Sequence, residues 1–157
     1  MNIRRIEPAD RAEVNAFIVR QWFTRQMIVR GETVDLGETK GFYVREDGEI
    51  IGLITYRVID RAMEILSLDS LREGCGVGGA LLETAVSEAK ALGCPRVFLI
   101  TTNDNLNALR FYQKRGFDMT ALYRNALDVS RRMKPEIPET GFFGIPLRHE
   151  IELERLL

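Results

Sequence analysis

The sequence predicts a mixed α/β fold: a central, mostly antiparallel sheet of about seven strands with one parallel pair, flanked by about four helices. Three observations lead there. Between residues 42 and 68, runs rich in β-branched and aromatic residues alternate with tight-turn pairs, the signature of a meander. The period then changes: Val77, Leu81, Leu82, Ala85, Val86, Ala89 and Leu92 fall on one helical face. Val97-Phe98-Leu99-Ile100 follows as the continuous apolar run of a buried strand. Residues 62–100 therefore read as strand, turn, helix, strand, with the two strands parallel and the crossover right-handed. Finally, Leu147, His149, Ile151 and Leu153 alternate with Arg148, Glu150, Glu152 and Glu154, as in a half-buried strand with a solvated acidic face.

The remaining elements follow in order. Residues 2–6 alternate weakly and suit an edge strand. Glu7-Pro8-Ala9-Asp10 is a helix start, and Val14, Phe17, Ile18, Trp22 and Phe23 keep helical spacing, so 9–29 reads as one bent helix or two short ones. Residues 31–40 are polar and read as loop. Phe42-Tyr43-Val44 is a short strand, Asp47-Gly48 the pair preferred by a two-residue hairpin turn, and Ile50 to Ile59 the returning strand. Asp60-Arg61 turns the chain into a strand at 62–68. A helix spans about 105–115 and is stopped by Gly116; 117–125 reads as a strand. The segment 127–146 is least regular, with a helical turn at Asp128 to Met133.

At 157 residues the chain is expected to be a single domain, 1–157, with an apolar fraction of 45% and a charged fraction of 29%. A net charge of −1 argues against nucleic acid as partner. No run is apolar enough for a membrane span, and Met1-Asn2-Ile3-Arg4-Arg5 lacks a signal-peptide core. Cys75 and Cys94 have no metal-ligand spacing and read as reduced thiols of a cytoplasmic protein, with no metal expected. Arg4, Arg5, Arg11, Arg20, Arg25 and Arg30 read as a solvated basic face.

Chemistry concentrates at two motifs. The first is Arg72-Glu73-Gly74-Cys75-Gly76-Val77-Gly78-Gly79-Ala80-Leu81-Leu82, a glycine-rich turn opening an apolar helix. Glycine permits positive φ, and a helix N-terminus offers unpaired N–H groups, so the turn suits a phosphate or serves only close packing. A nucleotide P-loop needs Lys-Ser/Thr after the last glycine, where this chain has Ala80-Leu81. The dinucleotide pattern G-x-G-x-x-G is present at Gly74, Gly76 and Gly79, but five residues separate it from Leu68, and Asp104 answers the required acidic residue only loosely. The second motif is Asn105-Leu106-Asn107-Ala108-Leu109-Arg110-Phe111-Tyr112, followed by Arg115-Gly116-Phe117. On one continuous helix, 105, 108 and 112 would share a face.

Together the motifs resemble the cofactor half of the GCN5-related N-acetyltransferases (GNAT), of which the chain looks like an unassigned member of bacterial type. The loop pattern Gln/Arg-x-x-Gly-x-Gly/Ala aligns with Gly76 and Gly78 and places Glu73 where the family has Gln or Arg; the pattern Asn-x-x-Ala, Tyr, Gly-Phe aligns with Asn105, Ala108, Tyr112, Gly116 and Phe117. The likeness covers 42–120 well and is weakest after 125. It implies a GNAT fold and acetyl-CoA as co-substrate. Glu73, Gly74, Cys75, Gly76, Val77, Gly78 and Gly79 would form the pyrophosphate cradle. Leu66, Ser67 and Leu68 would meet the pantetheine arm through their backbone, with the Leu68 N–H on the acetyl carbonyl. Asn105, Ala108 and Tyr112 would complete the cofactor site.

Tyr112 is the implied acid for the leaving thiolate, with a packed aromatic as the competing reading. Glu64 is the candidate base, pointing to the parting of the strands, or else an arginine-paired strand glutamate; Asp69 is a further candidate, and His149 reads as structural. The implied function is transfer of acetyl from acetyl-CoA to a primary amine, in first place of a small molecule, by direct transfer through a ternary complex. A protein N-terminus or lysine is the other acceptor. A non-catalytic acetyl-CoA or CoA sensor and an NAD-dependent oxidoreductase are the other classes. Trp22, Phe23, Phe142 and Phe143 could wall the acceptor site, and Arg131, Arg132 and Lys134 could hold an acceptor anion or simply be solvated. Homodimerisation through the last strand is possible.

Overall fold

A computed structural model describes all 157 residues, Met1–Leu157. The fold is mixed α/β, with seven of nine strands in one mostly antiparallel sheet containing one parallel pair, and with four α-helices. The residues fall into two compact units: Met1–Met27, Asp35–Val97 and Leu157 in the first, Ile28–Val34 and Phe98–Leu156 in the second.

In the first unit, β1 (Ile3–Arg5), β4 (Lys40–Glu46), β5 (Glu49–Ile59) and β6 (Ala62–Ser70) lie in that order, all antiparallel. Both predicted turns form. Asp47 and Gly48 have φ of 51° and 81°, and Asp60 and Arg61 take φ of 49° and 68°, so each pair adopts the left-handed geometry of a tight hairpin. Helix α2 (Val77–Ala91) buries Val77, Leu81, Leu82, Ala85, Val86 and Ala89 against β4, β5 and β6, as its period predicts. Leu92 differs: it caps the helix and is exposed, because the chain turns away through left-handed Gly93.

Helix α1 (Arg11–Trp22) corrects the expected helix over 9–29. It follows a 3-10 turn at Pro8–Asp10 and stops where Phe23 adopts φ 63° and returns its N–H to Val19. The chain then forms a hairpin, β2 (Gln26–Val29), where the helix was expected to continue, with β3 (Glu32–Asp35), inside the expected loop over 31–40. Arg30 and Gly31, both with positive φ, make its turn. Its sequence signal was Met-Ile-Val and Thr-Val around Arg-Gly, obscured by the helical spacing upstream. Three basic residues of this region have protein partners, while Arg4 and Arg20 stay exposed. Arg5 makes a bidentate pair with Glu88 at 2.8 Å, Arg25 pairs with Asp35 at 2.8 Å, and Arg11 donates to the Thr39 carbonyl.

In the second unit the strand order is β7 (Arg96–Thr102), β9 (Glu150–Leu156), β8 (Asp118–Tyr123), with α3 (Leu106–Gln113) and α4 (Ala126–Met133). The last strand therefore has neighbours on both sides, and the exposed edge is β8. Its alternation also departs from expectation. Glu150 is only 4% exposed and Glu152 9%, so the acidic face is covered. Both oxygens of Glu150 accept the Arg30 N–H at 3.3 Å, and Glu152 accepts from the Thr120 and Tyr123 hydroxyls at 3.2 and 3.3 Å. A register shift between Met119 and Ala121 brings Thr120 to that face. His149 lies outside the strand and accepts the Asn125 N–H on Nδ1 at 2.8 Å.

The irregular stretch after α4 is pinned by side chains. Asn103 accepts the N–H groups of Arg148 and His149 at 3.0 and 2.9 Å. Arg131 donates to the carbonyls of Pro138 and Leu147, which removes it from the solvated cations. Asp104, 3% exposed, accepts the Thr102 hydroxyl at 2.5 Å and the Phe142 N–H at 2.9 Å. Asp104→Ala is expected to cost about 1–3 kcal/mol by orphaning these donors. A lowered denaturation midpoint with faster hydrogen exchange at the Phe142 amide would register it; unchanged exchange would refute the pinning role.

Candidate active site

The glycine turn and β6 lie in the first unit. β6 carries a register shift: Thr55 faces Ser67 but Tyr56 faces Ile65, so Leu66 is an extra, bulged residue. A bulge breaks the regular ladder at the segment Leu66-Ser67-Leu68, where backbone groups were expected to serve a ligand. The Ser67 hydroxyl does not share that freedom; it bonds Thr55 Oγ1 at 2.6 Å in the buried interior.

Beyond Ser70, residues 71–76 are exposed. Gly74 and Gly76 have φ of 74° and 77°, and nothing lies within 4 Å of where a Cβ would stand on either. Gly76 is the N-cap of the 15-residue helix α2, with no side-chain cap and no acidic residue in the first turn. The first-turn N–H groups and the positive end of the helix dipole are thus left for an external acceptor. The chemistry fits a pyrophosphate: main-chain donors, open space and positive φ where glycine stands. Glu73 is exposed, and Arg72 is committed to Glu46 at 2.6 Å, so it does not offset Glu73. Cys75 is an exposed free thiol and Cys94 a buried one. A cavity of about 250 Å³ opens beside the turn, lined in part by Arg45, Arg72, Cys75 and Val77.

Two carboxylates on β6 differ sharply. Glu64 is 3% exposed and held by Arg57 Nε at 2.7 Å, the arginine-paired alternative of the two readings. Asp69 is half-buried and accepts the Trp22 indole N–H at 2.9 Å. Burial pushes the Asp69 carboxyl above the usual range, and the indole bond partly offsets the rise. Sequence spacing gave no sign of this Trp22–Asp69 contact.

The second motif lies in the other unit. Asn105 is not on the helix but is its N-cap, with its side-chain oxygen accepting the Ala108 N–H at 3.2 Å. The Asn-x-x-Ala spacing is thus a capping pair, which corrects the face shared by residues 105 and 112. Tyr112 is buried, with its ring edge-on to Phe111 at 5.0 Å and to Phe117 at 5.4 Å. Asp104 is occupied by Thr102 and Phe142, so the loose match to a ribose-binding acid finds no free carboxylate there. Phe142 and Phe143 are exposed. The described residues contain no cluster of metal-ligand type, and no helix is long and apolar enough to cross a membrane.

Comparison with known proteins is consistent with this arrangement. A family model described as acetyltransferase (GNAT) family matches residues 5–117. The Bacillus subtilis (strain 168) protein YdhI, itself uncharacterized, is 45% identical over 142 residues, covering 90% of this chain and 89% of its own. Among solved structures, a Bacillus subtilis acetyltransferase in complex with CoA superposes with a TM-score of 0.71 at 18% identity, covering 99% of this chain and 98% of that one. A GNAT family acetyltransferase from Elizabethkingia anophelis with acetyl-CoA bound gives 0.67 at 23% identity, covering 99% and 97%. At these identities the structural likeness concerns the fold.

Proposed function

From the premise that the chain belongs to the acetyltransferase (GNAT) family, we propose that it transfers the acetyl group of acetyl-CoA to the primary amine of a small molecule, by direct attack in a ternary complex. The observation that carries the reading is the uncapped N-terminus of α2 behind Gly74 and Gly76, whose donors and dipole suit the pyrophosphate of the co-substrate. Both solved structures named above are of acetyltransferases, one holding CoA and the other acetyl-CoA.

The roles follow from the chemistry. A free primary amine has a pKa of about 10.4, so it must lose a proton before it can attack. A β6 carboxylate receives that proton, Glu64 and Asp69 being the two on the strand. The bulged backbone at Leu66 to Leu68 meets the pantetheine arm, and the Leu68 N–H stabilises the carbonyl oxygen as charge develops. A thiol pKa of about 8.5 makes the thiolate a fair leaving group, and Tyr112 protonates it. Asn105 and Ala108 support this arrangement by fixing the start of α3.

Thermal stability with acetyl-CoA, CoA, NAD or ATP added separately tests the proposal. A ligand at about 100 times its dissociation constant adds roughly 2.7 kcal/mol. We expect a raised midpoint with acetyl-CoA and CoA. A shift with NAD alone, or none, would overturn the reading. Stabilisation by acetyl-CoA with no amine-dependent release of CoA would favour a sensor.

A further inference from the structure

We propose that Asp69 and Trp22 form the acceptor-amine subsite, with Asp69 as the catalytic residue that takes the amine proton and Trp22 as the residue that positions it. The inference rests on the acetyltransferase reading and deepens it. Asp69 directly follows Leu68, at the end of the strand that leads into the glycine turn, and lies three residues beyond the bulge at Leu66. Glu64 is buried and already committed to a guanidinium.

Asp69 has a different environment. Its Oδ2 accepts the indole N–H of Trp22, which anchors one carboxylate oxygen and leaves Oδ1 for a second donor. The indole is 40% exposed, so a ring face is available to the carbons beside an ammonium group, or to the cation itself. A carboxylate edge beside an aromatic face is a pair suited to a primary ammonium.

The charged groups on neighbouring elements are otherwise occupied. Arg72 of the turn pairs with Glu46, Glu13 of α1 with Arg45, and Arg20 lies over the Phe17 ring at 5.9 Å. Burial and the indole bond are the two influences on the Asp69 proton. They oppose each other, so loss of the indole donor raises the Asp69 pKa further.

The step balances. The ammonium gives one proton to Asp69, which releases it to water. The freed nitrogen lone pair forms the C–N bond as the C–S bond breaks. The second nitrogen proton is lost and one proton is gained by sulfur, leaving the amide and the CoA thiol.

The test uses the full chain, with release of CoA followed over a panel of ethanolamine, n-butylamine, phenethylamine and glycine. We expect turnover with at least one amine. Asp69→Asn is expected to lose about a hundredfold or more in kcat while keeping its acetyl-CoA thermal shift, with partial recovery in Asp69→Glu. In Trp22→Phe, which retains a ring but no donor, the acid limb of the kcat/KM profile should move to higher pH, because an active base must be deprotonated. Asp69→Asn turning over within about threefold of the parent across pH 6–9, or an unmoved acid limb in Trp22→Phe, overturns the proposal. So does a parent protein that binds acetyl-CoA yet acetylates none of the amines. A parent that fails to bind acetyl-CoA instead overturns the acetyltransferase reading itself.

Discussion

Replacing Tyr112 with phenylalanine is expected to lower kcat by about a hundredfold while leaving the affinity for acetyl-CoA nearly unchanged, the signature of a lost general acid. The substitution removes one hydroxyl and keeps the ring. That ring is buried and held edge-on by Phe111 and Phe117, so the packing of α3 survives the change. The proposed acid role places the effect on the chemical step. Steady-state kinetics with the best amine of the panel, alongside the thermal shift with acetyl-CoA, separates the two quantities. Equal turnover in the variant would remove Tyr112 from the chemistry; loss of binding with unchanged kcat would make it a cofactor contact alone.

Gly41→Ala is expected to be the most damaging small substitution, lowering stability by about 3 kcal/mol, or a midpoint fall of roughly 6–12 °C for a chain of this size. Gly41 lies in β4 opposite Thr55, and a Cβ on it would stand 2.1 Å from the Ile54 carbonyl oxygen and 3.0 Å from Ile6 Cδ1. The first obstacle is backbone. Ile54 belongs to the ladder with β6 and is fully buried, so it cannot retreat without opening the pairing that carries Leu66 to Asp69. The Gly41 carbonyl also accepts the Ile6 N–H at 3.0 Å, so the displacement would reach the end of β1. Gly48→Ala is the control. Its φ is 81° with nothing within 4 Å, and only the conformational cost of about 1 kcal/mol applies. Thermal unfolding of both variants decides the matter; similar midpoints would refute the steric account.

The legible parts were those where a local pattern and a tertiary environment agree. The meander is written in its β-branched runs and in the turn pairs Asp47-Gly48 and Asp60-Arg61, because turn geometry is decided within four residues. The buried face of α2 is written in its period, because one side of that helix meets the sheet. The glycine turn was legible for the same reason: positive φ at Gly74 and Gly76 is a property of the residues themselves. The hairpin over 26–35 was missed because the helical spacing upstream extended the expected helix to 29 and the polar residues from 31 read as loop; the stop at Phe23 needs a left-handed non-glycine residue that no local rule favours.

The sequence by itself determined the fold class, the order of most elements, the family and the uncapped helix that suits an anion. Only the tertiary structure decided which polar groups are used and by what. Glu150 and Glu152 alternate like surface residues, yet the hairpin tip and β8 cover them. Asn105 looked like part of a helix face shared with Tyr112 and is the cap of that helix. Glu64 and Asp69 sit on one strand, five residues apart, and differ because one meets Arg57 and the other meets Trp22, 47 residues away in sequence. Period and propensity describe how a segment presents its side chains; the charge and reach of whatever packs against them come from distant parts of the chain, and those decide the chemistry.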